Sequence, residues 1–447
     1  MSTDLEALSH RLLEAARKAG ADAADALAVS GKAQSIGIRQ AALEQAERAE
    51  AVDIGLRVLI GTRQACVSAS DTSDATIAAL AERAVAMARE APEDPTVGLA
   101  DPGQIATAWD LAGLDLIDRT PEPSASALES MARQAEAGAM AVDGITQVEA
   151  DASWSERQMH LALSNGFSGG YARSSLSVSA VAFTQSAAGM ERDWSGESRT
   201  YQADLPSAAS IGQLAATRAG ARLDAVKPPT GAYPVLFDER VAASLIGHLL
   251  GAINGQAIAR GASWLRDAMG QDLLPRGLSV IENPHRPRIS GSRPFDGEGL
   301  ATQRRVLVEN GVLKSWTLDL ATGRKLGLAS TGNASRSTSA PPSPATSNIA
   351  LTQGTVSPED LLRQMGTGLL ITSMIGATIN PTTGDYSRGA AGFWVEGGEL
   401  RYPVHECTVA GNLREMLRGI IPANDAKAHL SMQVPSLLVE GLTLAGK

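Results

Sequence analysis

The chain is expected to be an α+β protein. Its N-terminal half would consist of helix-plus-antiparallel-strand units, and its C-terminal half would be largely β with a buried helix. Three observations predict this. A helix–strands–helix pattern occurs twice in the first half of the 447 residues. A linker, Lys227-Pro228-Pro229-Thr230-Gly231, then interrupts the chain. Beyond it strand-type runs dominate, broken by one apolar helical run at 241–251. The divisions give an N-terminal α+β unit at 1–112, a second at 113–226 and a β-rich domain at 231–447.

Residues 4–20 place Leu5, Leu8, Leu12, Leu13 and Ala16 on one helical face, and Gly20 ends the pattern. Strands are expected at 23–29, 35–39 and 51–60. Ser70-Asp71-Thr72-Ser73-Asp74 carries N-cap chemistry for a helix at 75–90, and the Pro/Asp-rich loop 92–102 follows as a boundary. Two prolines precede a helix that starts at Ser124 or Ser126 and runs to Ala141. Three strands come next, at 145–154, 158–164 and 171–184, with Asn165-Gly166 as the turn between the last two. A helix at 208–223 closes the unit, so the half reads as an α+β duplication. In the third unit strands are expected at 233–237, 278–281, 304–309, 313–318, 369–374 and 393–395, with Asp238 capping the apolar helix. The Ser/Thr/Pro/Ala-rich stretch 334–348 reads as a mobile surface connector, with a lid as its functional alternative.

Composition removes several function classes. Charged residues are 20%, hydrophobic residues 44% and aromatics only 4%, and the net charge is −10. With no basic block and few stacking rings, a nucleic-acid surface is not expected. No run approaches about 18 apolar residues, so no membrane span is expected. The two cysteines, Cys66 and Cys407, form no disulfide framework or zinc knuckle, which points to a reducing, cytoplasmic setting. Phosphate-binding glycine motifs are missing. The six histidines are scattered. His405-Glu406 lies in an expected strand, where residues four apart stand about 13 Å from one another, too far to share a metal.

The stretch Thr383-Gly384-Asp385-Tyr386-Ser387-Arg388-Gly389-Ala390-Ala391-Gly392-Phe393-Trp394-Val395-Glu396 carries the densest chemistry. It reads as a Gly-rich turn bearing a carboxylate, a phenol and a guanidinium, running into a strand at 393–395. Gly384 and Gly389 would permit sharp turns on both sides of the polar group, and Glu396-Gly397-Gly398-Glu399-Leu400 would turn into a second strand at 400–404. Two readings of the polar group stand. Asp385 and Arg388 pair and brace the turn, or the group lines a cleft, with Arg388 meeting a peptide carboxylate and Tyr386 donating to a peptide carbonyl.

This stretch resembles the signature of the TldD/PmbA family, in its PmbA (TldE) branch. Other segments match in the same order: Pro294-Phe295-Asp296 with Glu298-Gly299, Ser330-Thr331-Gly332-Asn333, Met365-Gly366-Thr367-Gly368-Leu369 and Ala410-Gly411-Asn412-Leu413. Residues 53–58 resemble the family's first-domain strand, and 435–446 its closing strand. Together the matches cover most of 230–447.

The resemblance implies a two-subunit cytosolic metalloprotease that threads unfolded or extended peptides into an enclosed cleft and holds them as an added strand. Metal-bearing subunits of the family carry HExxxH on a buried helix, two imidazoles for the metal and a glutamate to activate water. Aligned through Gly255, Gly261 and Ser263, those positions here are Ile246, Gly247 and Gly251, none able to ligate or take a proton. His248 falls two places late and reads as a satisfied helix histidine. The family's metal-binding cysteine is also missing between Asn424-Asp425 and Pro435. No catalytic residue and no metal is therefore expected in this chain. Zinc is expected in a TldD-type partner, with Gly384, Asp385, Tyr386, Arg388 and Gly389 as candidate peptide cleft and a homodimer in isolation. The alternatives are a non-catalytic homodimeric peptide-binding scaffold and, third, a metalloprotease active by itself.

Overall fold

The computed structural model describes residues 4–187 and 189–447. Its N-terminal half holds α1 (Leu5–Ala19), β1 (Ala23–Arg39), β2 (Ala42–Ile60), β3 (Arg63–Ala69), α2 (Asp74–Glu90) and the single turn α3 (Leu111–Leu114). The same plan then repeats as α4 (Ala125–Met140), β4 (Ile145–Leu163), β5 (Ser168–Ser186), β6 (Gly189–Arg199) and α5 (Ala208–Gly220). The two sets of strands form one six-stranded sheet in the order β3-β2-β1-β4-β5-β6. The join is the antiparallel pair β1–β4, from Asp25↔Leu163 to Arg39↔Glu149. Helices α1 and α2 cover one end of the sheet and α4 and α5 the other, each pair over its own apolar core. Their caps are the ones the residue types favour: Ser73 and Ser124 accept from backbone N–H groups at the starts of α2 and α4, and left-handed Gly20 ends α1.

The strands are longer than residue chemistry suggests. The separate strands expected at 23–29 and 35–39 are one, and those at 145–154 and 158–164 are one. The apparent gaps are polar stretches that are only partly covered, and residues 42–51 of β2 are exposed. A ladder needs only backbone N–H and C=O groups, so pairing continues past the helices into solvent.

The C-terminal domain is built on a small barrel. The strands β7 (Gly231–Phe237), β14 (Gly368–Ile379), β15 (Asp385–Glu396), β16 (Glu399–Asn412), β17 (Ile421–Pro422) and β19 (Leu437–Ala445) form one sheet in the order β16-β15-β14-β7-β19-β17. Because β19 also pairs with β16, five of these strands close on themselves, which removes exposed edges. A second sheet, β10-β9-β8-β13-β18, comprises β8 (Val280–Glu282), β9 (Arg305–Glu309), β10 (Val312–Leu313), β13 (Ile349–Leu351) and β18 (Met432–Gln433). Helix α6 (Glu239–Ala252) follows β7 directly, and its Leu245, Ile246 and Leu249 share one core with barrel residues. The short α7 (Gly255–Ala259) and α8 (Leu320–Leu326) continue toward the N-terminal sheet. Helix α9 (Pro358–Met365) packs Leu361 and Met365 on Leu236 and Leu438, and α10 (Leu413–Arg418) follows β16.

Two expectations are corrected. The strand expected at 313–318 is only the two residues of β10. The stretch 334–348 is no loose connector: β11 (Ala334–Ser335) pairs with β12 (Ser343–Pro344), and Arg336 between them is buried in an ion pair with Asp25 of β1, 2.9 Å away. A Cβ at Gly55 would lie 2.2 Å from the Thr338 carbonyl oxygen, so the loop tip seats on β2 where the strand has no side chain.

Candidate functional site

The densest stretch is strand from Asp385 onward, and the turn lies before it. Gly384 has φ +81° and donates its N–H to the Asn380 carbonyl at 2.9 Å, while Asn380 donates to the Asp385 carbonyl. Gly389 lies mid-strand opposite Ile375 and makes no second turn. It sits beside a register shift, where a Cβ would come 3.3 Å from the Ile375 carbonyl oxygen. Strand alternation then sorts the polar residues. Asp385 is exposed and accepts from Thr383 (2.6 Å) and Asn412 (3.1 Å), bonds that hold its carboxyl below the usual range. Tyr386 and Arg388, two apart, share the other face. The Asp385–Arg388 brace does not form. Arg388 Nε donates instead to the Gly376 carbonyl of β14 at 2.6 Å.

Tyr386 is 2% exposed and meets the His248 ring of α6 edge-on, with centroids 5.9 Å apart. Its hydroxyl donates weakly to Met374 Sδ at 3.6 Å and has the Arg388 guanidinium within hydrogen-bonding reach. Burial pushes the phenol up to about 12 although the Arg388 charge pulls the other way, so it remains a donor at neutral pH. Burial and then the Arg388 charge push the His248 imidazole down, keeping the ring neutral. Its Nε2 is buried with no hydrogen-bond partner among the described residues. His248 is therefore not the satisfied helix histidine the sequence suggested. An orphaned buried nitrogen beside an underused hydroxyl and a half-exposed guanidinium is an arrangement that calls for an explanation.

On the adjoining face of α6 lie Gly247 and Gly251, exposed, with nothing within 4 Å of a Cβ built at either. The helix thus presents bare backbone to open space beside the His248–Tyr386–Arg388 group.

The full length of the chain has relatives. Three family models match it in order: PmbA/TldA metallopeptidase domain 1 over 24–88, the central domain over 118–223 and the C-terminal domain over 230–446. Metalloprotease PmbA of Escherichia coli O157:H7 is 35% identical over 92% of this chain and 90% of its own length. The PmbA homolog of Haemophilus influenzae is 36% identical over 97% and 94%. The chain belongs to the PmbA/TldD family. The fold agrees: a Bacteroides thetaiotaomicron protein named for modulation of DNA gyrase superposes with TM-score 0.92 over all of both chains at 25% identity. TldE from Thermococcus kodakarensis gives 0.83 at 19% identity over 98% of this chain and all of that one.

In this PmbA/TldD chain the three positions aligned to HExxxH divide. Ile246 is fully buried in the apolar core, while Gly247 and Gly251 face outward. Among the described residues no three His, Cys, Asp or Glu side chains come together in a metal-holding arrangement. The shortened loop after Asn424-Asp425 is tied down. Ser436 donates its N–H and hydroxyl to Asp425, both at 2.7 Å, and Lys427 pairs with Glu239 at the start of α6. Among the described residues no helix is long and apolar enough to cross a membrane.

Sequence reasoning names His248 as a satisfied helix histidine and leaves out its place against Tyr386. Its signal was available: Tyr386 and Arg388 at i and i+2 mark one strand face, and an apolar helix bearing a single imidazole is a natural cover for it.

Proposed function

We propose that this chain is the metal-free subunit of a TldD/TldE-type heterodimeric metalloprotease, acting on unfolded or extended peptides. The carrying observation is α6. Where the metal-bearing subunit would place ligand and base, this helix has a core isoleucine and two bare glycines. The zinc and the water-activating carboxylate then come from a TldD-type HExxxH partner. The contribution of this chain is to hold peptide. Tyr386 offers a phenolic O–H that stays protonated, His248 an unpaired ring nitrogen, and Arg388 a charge for a peptide carboxylate. The side-chain-free surface at Gly247 and Gly251 leaves room for an extended backbone to lie against the helix.

The test is reconstitution. The purified chain alone should carry no stoichiometric transition metal and should not hydrolyse unfolded protein. Mixed with an HExxxH subunit of the same family, it should co-purify in equal amounts and raise peptide turnover severalfold over either subunit. About one zinc per chain, with intrinsic activity lost to chelator, would overturn the reading in favour of an independent protease. A stable homodimer that binds peptide but ignores the partner would favour a scaffold.

A further inference from the structure

A second polar site lies away from α6, where the N-terminal sheet meets the C-terminal domain. A cavity of about 270 Å³ opens between β2, the loop after α2, α7 and α8. Its walls include Arg57, Glu298 and Asp319, each at most 3% exposed, and its mouth carries the exposed Asp94, Arg260 and Lys325. None of these has a role in the peptide-holding reading.

The wall is built, but not saturated. Arg57 donates its Nε to Asp25 and its Nη1 to Gln64 at 3.2 Å, while its buried Nη2 has no partner among the described residues. Glu298 accepts from the Leu320 N–H through Oε2 at 2.8 Å, leaving Oε1 without a bond among the described residues. Asp319 uses Oδ1 to cap α8, accepting from the Thr322 N–H (2.8 Å) and hydroxyl (2.6 Å). Burial, then the neighbouring Asp296 and Asp319, push the Glu298 carboxyl well above the usual range, toward a neutral group able to donate. Arg57 shares the buried Asp25 with Arg336, leaving its Nη2 as the inward-facing donor, while the exposed Arg260 and Lys325 stand with Asp94 and Asp319. Cationic donors and carboxylates side by side favour a ligand with an anionic head that also bears a cation. The volume, just under the roughly 300–1,000 Å³ of drug-sized sites, limits the ligand to a small molecule. Phosphate esters fit poorly, since a second negative charge would lie close to Asp94 and Asp319.

We propose that this cavity binds a small zwitterionic carboxylate, of the free amino acid or dipeptide class, with its carboxylate on the Arg57 side and its ammonium toward Asp319 and Asp94. The inference stands without the partner subunit, so its test uses the full chain alone and its failure leaves the heterodimer reading untouched.

Calorimetric titration with glycylglycine should show one saturable site. Affinity should fall at least tenfold for N-acetylglycine, which lacks the ammonium, and for glycylglycine amide, which lacks the carboxylate. The exposed double variant Arg260→Ala/Lys325→Ala, checked for an unchanged near-UV circular dichroism spectrum, should weaken glycylglycine by a similar factor. Glu298→Gln, which keeps a donor and the acceptor for Leu320, should bind within about threefold of the parent. No saturable heat with any probe would overturn the proposal. So would equal binding of N-acetylglycine, inorganic phosphate binding as tightly as the dipeptide, or a double variant of unchanged affinity.

Discussion

Past the ion-paired start of α6 (Asp238, Glu239, Arg240) charge is sparse, and at the domain junction it is concentrated. Along its later turns this helix has Ile246, Gly247 and Gly251, and beside them stand the His248 imidazole, the Tyr386 phenol and one guanidinium. At the junction Asp25 lies between the guanidinium groups of Arg57 and Arg336, all three side chains at most 4% exposed. Glu298 and Asp296 stand nearby, both with carboxyls raised by burial. Buried charge without excellent pairing is expensive, so the two regions carry different loads. The junction charges pin β1, β2 and the 334–348 loop together. The α6 face keeps its polar atoms few, with the His248 Nε2 unpaired among the described residues.

The sharpest way to break this contrast is at Asp25. Asp25→Ala strands two buried guanidinium groups and should destabilise the chain by about 3–5 kcal/mol in chemical denaturation. A loss under about 1 kcal/mol would show that the junction bears no such load. At the other region, Arg388→Ala removes a half-exposed side chain that donates to the Gly376 carbonyl and lies against the Tyr386 hydroxyl. It should cost under about 1 kcal/mol of stability while lowering peptide turnover of the reconstituted complex about tenfold, or about 1.4 kcal/mol. A large drop in melting temperature with unchanged turnover per folded complex would make Arg388 structural instead.

The imidazole gives a pH signature. The folded-state pKa of His248 lies below its ordinary 6.5, so on acidification the unfolded chain takes up that proton first. Its contribution to stability is complete above about pH 6.5 and declines as pH falls below it, by at most about 1.4 kcal/mol per pH unit. His248→Gln should flatten that part of the denaturation profile, whereas Arg260→Ala at the junction mouth should not. The smallest effect concerns the glycines. Gly247→Ala and Gly251→Ala put methyl groups into open space on a helix and should each stabilise by about 0.5–1 kcal/mol. If the bare backbone receives peptide, the double variant should nevertheless raise the KM of the complex. Unchanged KM would count against contact there.

Much of the fold was legible because it rests on local signals. The periodicity of Leu5, Leu8 and Leu12, the caps Ser73, Ser124 and Asp238 and the Asn165-Gly166 turn each act within a few residues, and each appears where those signals place it. The α+β class and the family followed from the same chain read alone. Strand lengths did not, because ladder pairing is a backbone property and the polar tips of β1 and β2 carry no apolar signature.

The site divides in the same way. The polar residue types near 385–388 could be read directly, and so could the apolar and glycine character of Ile246, Gly247 and Gly251. Only the folded chain decided that Asp385 turns away from Arg388, that His248 faces Tyr386, and that Arg336, 311 positions along the chain, reaches Asp25. Those contacts depend on closing the barrel and seating one loop on a distant strand. Long-range geometry of that kind is set by the packing of whole surfaces, and no residue carries it in its immediate neighbours.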